Sequence, residues 1–123
     1  MAKKVLVIED SPTEAAIVKD LLVGEGLEAD ISQNGEEGLK KARQMKPDLI
    51  MLDINLPGMN GYDVCKKLRE DSRVGDPIII MLSIRSKMDD INKAFNAGAN
   101  DYIIKPPMPE FIVKKVKLYL GIK

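Results

Sequence analysis

The 123-residue sequence contains no histidine and a single cysteine, Cys65. Without histidine the chain has no Ser-His-Asp or Cys-His catalytic pair, no imidazole-ligated zinc and no phosphohistidine of its own. One cysteine makes neither an internal disulfide nor a cysteine-cluster metal site, and it fits a reducing compartment. Aromatic residues are only 4% of the chain, so an aliphatic, tightly layered core is expected. Long apolar runs are also missing. The longest, Ile78 to Leu82, falls far short of the ~20 residues of a membrane span. The start, Met1-Ala2-Lys3-Lys4, leads into only the apolar run Val5 to Ile8, whereas a secretory signal needs about 7–15 such residues. A cytoplasmic protein that does not engage a membrane is expected.

Net charge is absent too. Nineteen basic residues balance nineteen acidic ones, which argues against a general polyanion binder. The balance is uneven along the chain: residues 1–62 carry 7 basic and 11 acidic side chains, residues 63–123 carry 12 and 8. What is present suits one globular domain spanning 1–123, with 45% apolar and 31% charged residues. A chain of this length buries a core without disulfides or a structural metal.

Short apolar runs alternate with helical patterns throughout. Val5 to Ile8 is a β-branched run ended by Glu9-Asp10. Ser11-Pro12-Thr13-Glu14 reads as a helix start, with Ser11 as N-cap, Pro12 in the first turn and Glu14 closing a capping box. Ala15, Val18 and Leu22 continue as an apolar stripe. Leu27 to Ser32 suits an edge strand, broken at Asn34-Gly35. Gly38, Leu39, Ala42 and Met45 mark a second helix. Leu49 to Leu52 runs into Asp53, and a turn-rich loop, Leu56 to Gly61, precedes a helix with Val64, Cys65 and Leu68 inward. Pro77 to Leu82 is apolar on both faces, as an interior parallel strand must be. Met88, Ile91, Phe95 and Gly98 mark a fourth helix, Tyr102 to Ile104 a fifth strand, and Pro109 opens a last helix with Ile112 and Val116 on one face. Five strands alternating with five helices predict a doubly wound, flavodoxin-like α/β sheet with ligands beyond the carboxyl ends of its strands. Cys65 and the seven methionines read as packing.

Parallel strands gather their ends at one edge. Glu9, Asp10, Asp53, Ser83 and Lys105, scattered in sequence, should therefore converge in a shallow pocket. Carboxylates this close repel one another unless a cation intervenes. A hard divalent ion such as Mg²⁺ answers that need, and with the Lys105 ammonium it balances three carboxylates. Such a pocket can accept a phosphoryl group. A carboxylate nucleophile takes it as an acyl phosphate, and positioned cations and donors stabilise the loose transition state. Asp53, on the third strand and followed by the Gly-containing loop, is the best nucleophile.

Val7-Ile8-Glu9-Asp10, then Asp53-Ile54-Asn55-Leu56-Pro57-Gly58-Met59-Asn60-Gly61, then Met81-Leu82-Ser83 and Asp101-Tyr102-Ile103-Ile104-Lys105-Pro106 resemble the receiver domain of bacterial two-component response regulators. The resemblance covers essentially the whole chain, and the Asp-x-x-Leu-Pro-x-Met-x-Gly run is its most specific part. It implies strand order 2-1-3-4-5. It implies that Asp53 accepts phosphate from a histidine kinase or phosphotransfer protein, and that Asp10, Asp53 and the Asn55 backbone carbonyl ligate Mg²⁺, with Glu9 acting through water. Ser83 and Lys105 would hold phosphoryl oxygens, Tyr102 would be an aromatic switch coupled to Ser83, and the Lys105–Pro106 bond would be cis. The domain would be a signalling switch rather than an enzyme, a monomer or weak dimer, stand-alone or excised from a larger transcription regulator.

Rival readings differ at named residues. A haloacid-dehalogenase-like phosphatase needs a second Asp two residues after its nucleophile, where Asn55 stands. A flavodoxin-like nucleotide carrier would cradle phosphate where Glu9 and Asp10 repel it. A constitutive binding module would have no use for the full set of pocket residues. The chain also departs from the family. Ile84 follows Ser83 where a small residue is usual, so Ile84 should narrow access to Asp53. Arg85 should reach over the pocket mouth, toward the phosphoryl group or toward Asn55. Output is expected from the helix 4, strand 5 and helix 5 face. Its Lys87, Lys93, Lys114, Lys115 and Lys117 outnumber Asp89, Asp90 and Glu110, which suits an acidic or mixed protein segment rather than nucleic acid.

Overall fold

The computed structural model describes residues 2–123. Its strands are β1 (Lys4–Ile8), β2 (Glu28–Ser32), β3 (Leu49–Leu52), β4 (Ile78–Ser83) and β5 (Asp101–Ile104). The helices between and after them are α1 (Pro12–Gly24), α2 (Gly35–Met45), α3 (Gly61–Glu70), α4 (Met88–Ala97) and α5 (Pro109–Leu120). Every strand pair is parallel and the order is β2-β1-β3-β4-β5, the expected doubly wound, flavodoxin-like sheet.

Alternation along the strands divides the core into two layers. Leu6, Ile8, Ile50, Leu52, Ile79 and Met81 pack with Leu39, Val64 and Leu68 under α2 and α3. Val5, Val7, Leu49, Met51, Ile80 and Leu82 pack with Val18, Leu22, Ile112 and Val116 under α1 and α5. Burial on both faces explains why β1, β3 and β4 read as unbroken apolar runs. Cys65 lies buried in α3, and that burial pushes its thiol up to about 11.

Side-chain caps start three helices. Ser11 Oγ accepts from the Glu14 N–H at 3.3 Å, Asn34 Oδ1 from the Glu37 N–H at 2.8 Å, and Asn60 Oδ1 from the Asp63 N–H at 3.0 Å. The capping box expected at Ser11 is only half formed. The Ser11 N–H donates to Glu9 Oε1 at 3.2 Å instead, because the Glu14 carboxylate is drawn away to Lys105.

The expected fourth helix forms as α4, with its apolar residues largely outside: Met88 and Phe95 are exposed, Ile91 is half-buried, and only Ala94 is buried. One further expectation needs correction. The methionines are not all packing residues, since Met88 and Met108 stand about two-thirds exposed. The cause is position. β5 is an edge strand, so α4 and α5 have too little sheet beneath them to cover every apolar side chain.

At the N-terminal edge of the sheet, Arg69 ties α3 to its neighbours. It donates to Gly98 O at 2.8 Å, Pro77 O at 2.7 Å, Asn100 Oδ1 at 2.6 Å and Asp76 Oδ1 at 3.1 Å.

Candidate functional site

The parallel ladder continues one residue beyond three strands. The Glu9 N–H donates to Ser32 O at 2.9 Å, the Asp53 N–H to Ile8 O at 3.0 Å, and the Lys105 N–H to Ser83 O at 2.8 Å. Sheet hydrogen bonding thus sets the backbone of Glu9, Asp53 and Lys105, the buried side chains at the heart of the site. Gly61 fixes a fourth element. Its N–H donates to Ile54 O at 2.7 Å, and a Cβ there would lie 2.5 Å from Ile54 Cα and collide with Asp53 O. Only glycine lets α3 start this close to the end of β3.

Oxygens of Glu9, Asp10 and Asp53 lie within 4.8 Å of one another. Lys105 Nζ donates to Glu9 Oε2 at 2.7 Å, Glu14 Oε2 at 3.2 Å and Asp53 Oδ2 at 3.3 Å. Glu9, Asp53 and the Lys105 side chain are buried, whereas Asp10 is exposed and opens the cluster to solvent. Burial pushes Glu9 up to about 7 and the Asp53 charge adds to it, against the opposing bonds from Lys105 and Ser11. Burial works against the Lys105 ammonium, but the Glu9 hydrogen bond and the Asp53 and Glu9 charges outweigh it and hold its pKa well above the ordinary lysine value. The Asn55 N–H donates to Asp53 Oδ1 at 3.1 Å, which places the residue 55 backbone beside the carboxylate. Crowded carboxylate oxygens with one open side suit a hard divalent cation that keeps its own waters.

The remaining residues surround this center at different distances. Ser83 is fully buried, and its Oγ accepts the Arg85 N–H at 3.2 Å. The half-buried Tyr102 donates its hydroxyl to Arg85 O at 2.8 Å. Arg85 takes the second of its two expected directions, with Nε 3.0 Å from Asn55 Oδ1 and Nη1 3.4 Å from Asp90 Oδ1. Ile84 is 68% exposed. The Lys105–Pro106 bond is cis, as the resemblance implied. A groove of about 720 Å³ between α2 and α3 contains none of these residues.

Glu14 is the site contact that sequence reasoning missed. A signal was present, because an acidic residue in the first turn of a helix that begins directly after Glu9-Asp10 must overhang the same strand end. The capping reading absorbed it.

The family model described as the response regulator receiver domain matches residues 5–117. The chain belongs to this family. Among its relatives, the DNA-binding response regulator MtrA of Mycolicibacterium smegmatis is 38% identical over 98% of this chain and 51% of its own length. The chain therefore spans about half the length of the curated relatives it matches. A putative response regulator from Chloroflexus aurantiacus superposes with a TM-score of 0.91 at 33% identity, over 98% of this chain and 99% of that one. The chemotaxis protein CheY4 of Vibrio cholerae gives 0.91 at 28% identity, over 97% and 99%.

Membership of the receiver family sets aside the haloacid-dehalogenase-like alternative. Asn55, in the place of that family's second acid, instead accepts a hydrogen bond from Arg85. No described helix of the receiver is long and apolar enough to cross a membrane. Its α4–β5–α5 face differs from the basic surface expected. Lys115 pairs with Asp101 and Lys117 with Glu25, each at 2.5 Å, so two of the five lysines are engaged within the chain. Apolar Met88, Ile104, Met108 and Phe111 are exposed there instead.

Proposed function

We propose that residues 1–123 work as one receiver domain in which Asp53 is the phosphoacceptor of a signalling switch. The observation that carries this is the convergence of Glu9, Asp10 and Asp53 around a buried Lys105 ammonium. An Asp53 carboxylate oxygen attacks the phosphorus of a phosphohistidine on a histidine kinase or phosphotransfer protein. The O–P bond forms as the P–N bond breaks, and the imidazole leaves with a proton. Hydrolysis reverses the state: water adds to phosphorus, the Asp53 O–P bond breaks, and inorganic phosphate and a proton are released. The chain promotes only its own modification and is not a turnover enzyme.

Lys105 and the Ser83 hydroxyl donate to phosphoryl oxygens, the hydroxyl through its O–H, which accepting from the Arg85 N–H leaves free. Asp10, Asp53 and the Asn55 backbone carbonyl hold Mg²⁺, with Glu9 acting through water. The bound ion supplies positive charge to the transferred phosphoryl group. Tyr102 follows Ser83 inward and alters the α4–β5–α5 face, where a downstream protein binds. Ile84 and Arg85 limit access for small donors and water. The location is cytoplasmic, where kinases of this kind present their phosphohistidine. Relatives about twice as long with DNA-binding names favor a second arrangement, in which this receiver works within a larger transcription regulator.

The test is acyl-phosphate formation with acetyl phosphate and Mg²⁺, read by intact mass and by peptide mapping after borohydride reduction. Modification of Asp53, lost in Asp53→Asn, is the expected result. Unchanged Mg²⁺ affinity in both Asp10→Asn and Asp53→Asn overturns the ligand assignment. Amide shifts on adding beryllofluoride should extend through residues 87–120. Shifts confined to the Asp53 pocket overturn the output face.

A further inference from the structure

Glu14 has no part in the roles assigned above, yet its Oε2 lies 3.2 Å from Lys105 Nζ. We propose that Glu14 is a positioning residue that holds Lys105 through this ion pair and makes the pocket more anionic, tightening divalent-cation binding and slowing reaction with anionic phosphodonors. The proposal rests on Asp53 being the phosphoacceptor.

An ammonium has three N–H donors, and three carboxylates reach this one: Glu9, Asp53 and Glu14. A phosphoryl oxygen on Asp53 can therefore gain a Lys105 donor only if a present partner gives one up. Glu9 and Asp53 are buried, and stripping a buried carboxylate of its cation is costly. The Glu14 side chain is 52% exposed, so water replaces the lysine at little cost. Glu14 is the exchangeable partner.

Charge gives it a second effect. Glu9, Asp10, Asp53, Glu14 and Lys105 together leave a formal charge of −3 before a divalent ion binds and −1 afterwards. Without Glu14 the occupied pocket is neutral. An incoming phosphodonor dianion meets net repulsion that the other four residues alone would not produce, while the cation gains one more nearby negative charge.

The helix start does not depend on this carboxylate, because Ser11 Oγ caps α1 through the Glu14 backbone N–H. Glu14→Gln therefore keeps the cap and the side-chain shape and removes only the charge.

The experiment compares the parent chain, Glu14→Gln, Glu14→Asp and, as a control from the first turn of α5, Glu110→Gln. Mg²⁺ affinity is read by amide chemical shift in the absence of donor, and phosphorylation by acetyl phosphate is followed at several donor concentrations. Glu14→Gln should weaken Mg²⁺ about three- to tenfold. At saturating Mg²⁺ it should speed phosphorylation by a similar factor through donor KM rather than through the maximal rate. Both effects should shrink as salt rises from ~0.01 to ~1 M, which shortens the Debye length from about 30 to about 3 Å. Glu14→Asp should retain most of the parent's Mg²⁺ affinity, and Glu110→Gln should match the parent throughout. Asp53 phosphorylation in the parent, with Mg²⁺ affinity and donor KM unchanged in Glu14→Gln, overturns the role of Glu14 and leaves the phosphoacceptor reading intact. A Glu14→Gln effect that is independent of salt, or that lies in the maximal rate alone, overturns the charge mechanism. No Asp53 phosphate in the parent sinks the phosphoacceptor reading and, with it, the donor arm of the proposal.

Discussion

At the N-terminal edge of the sheet, Arg69 spreads its donors over Gly98 O, Pro77 O, Asn100 Oδ1 and Asp76 Oδ1, and Asp71 receives both Arg43 and Arg73. At the carboxyl edge, Glu9, Asp10 and Asp53 crowd together with Lys105 as their shared ammonium. The first arrangement leaves few polar atoms without partners and favors stability. The second holds like charges close at a cost to the folded state, and that cost is lowered when a cation binds. Stability and function therefore sit at opposite ends of the same strands, and neutralising a carboxylate at the two ends should act on stability with opposite sign.

The largest expected effect is at the stable end. Arg69→Ala strands two backbone carbonyls without this donor and leaves Asn100 Oδ1 with the Ile79 N–H alone, and should cost about 3 kcal/mol in a denaturant melt. A cost below about 1 kcal/mol would mean that this network is solvated rather than structural. Next comes Gly61→Ala, where the new methyl must displace the Asp53–Ile54 backbone. It should cost about 2 kcal/mol and move the Asp53 amide resonances, while leaving those around Arg69 in place.

Opposite pH dependence would sharpen the comparison. The Arg73 and Arg43 hydrogen bonds hold the Asp71 carboxyl well below the usual carboxylate range, so its contribution is present at neutral pH and lost on acidification. Glu9 is raised from 4.5 to about 7, mainly by burial. Between those values the folded chain binds more protons than the unfolded one, so metal-free stability should fall as pH rises across the window. Glu9→Gln should flatten that slope and Mg²⁺ should reduce it. A slope that persists in Glu9→Gln assigns it to another group. The smallest effect concerns access. Ile84→Ala should speed phosphorylation by small donors more than about twofold, roughly 0.4 kcal/mol of barrier. An unchanged rate would remove Ile84 from the gate, a result its exposed side chain makes easy to obtain cleanly.

Much of this arrangement was legible in one dimension. The runs Val5 to Ile8, Leu49 to Leu52 and Ile78 to Leu82 are apolar at every position because both faces of those strands are covered. Asp53, Ser83 and Lys105 could be picked out because a parallel sheet must bring strand ends to one edge. The α4 pattern located its helix but not its exposure, since 3.6-residue periodicity reports an apolar face but not whether anything covers it. Arg69 carried no signal, because its acceptors come from two loops distant from it in sequence, Asp76 to Pro77 and Gly98 to Asn100.

Composition, periodicity and turn residues by themselves determined the number of strands and helices, their parallel arrangement, and which strand-end carboxylates and which lysine would meet. These are local properties, and regular hydrogen-bonding geometry extends them without further information. Only the tertiary structure decided where long flexible side chains ended up. Glu14 left its helix cap for Lys105, Arg85 turned to Asn55, and Lys115 and Lys117 turned inward to Asp101 and Glu25. Such side chains have many rotamers of similar energy, and the choice among them depends on charges brought close by the fold rather than by the chain.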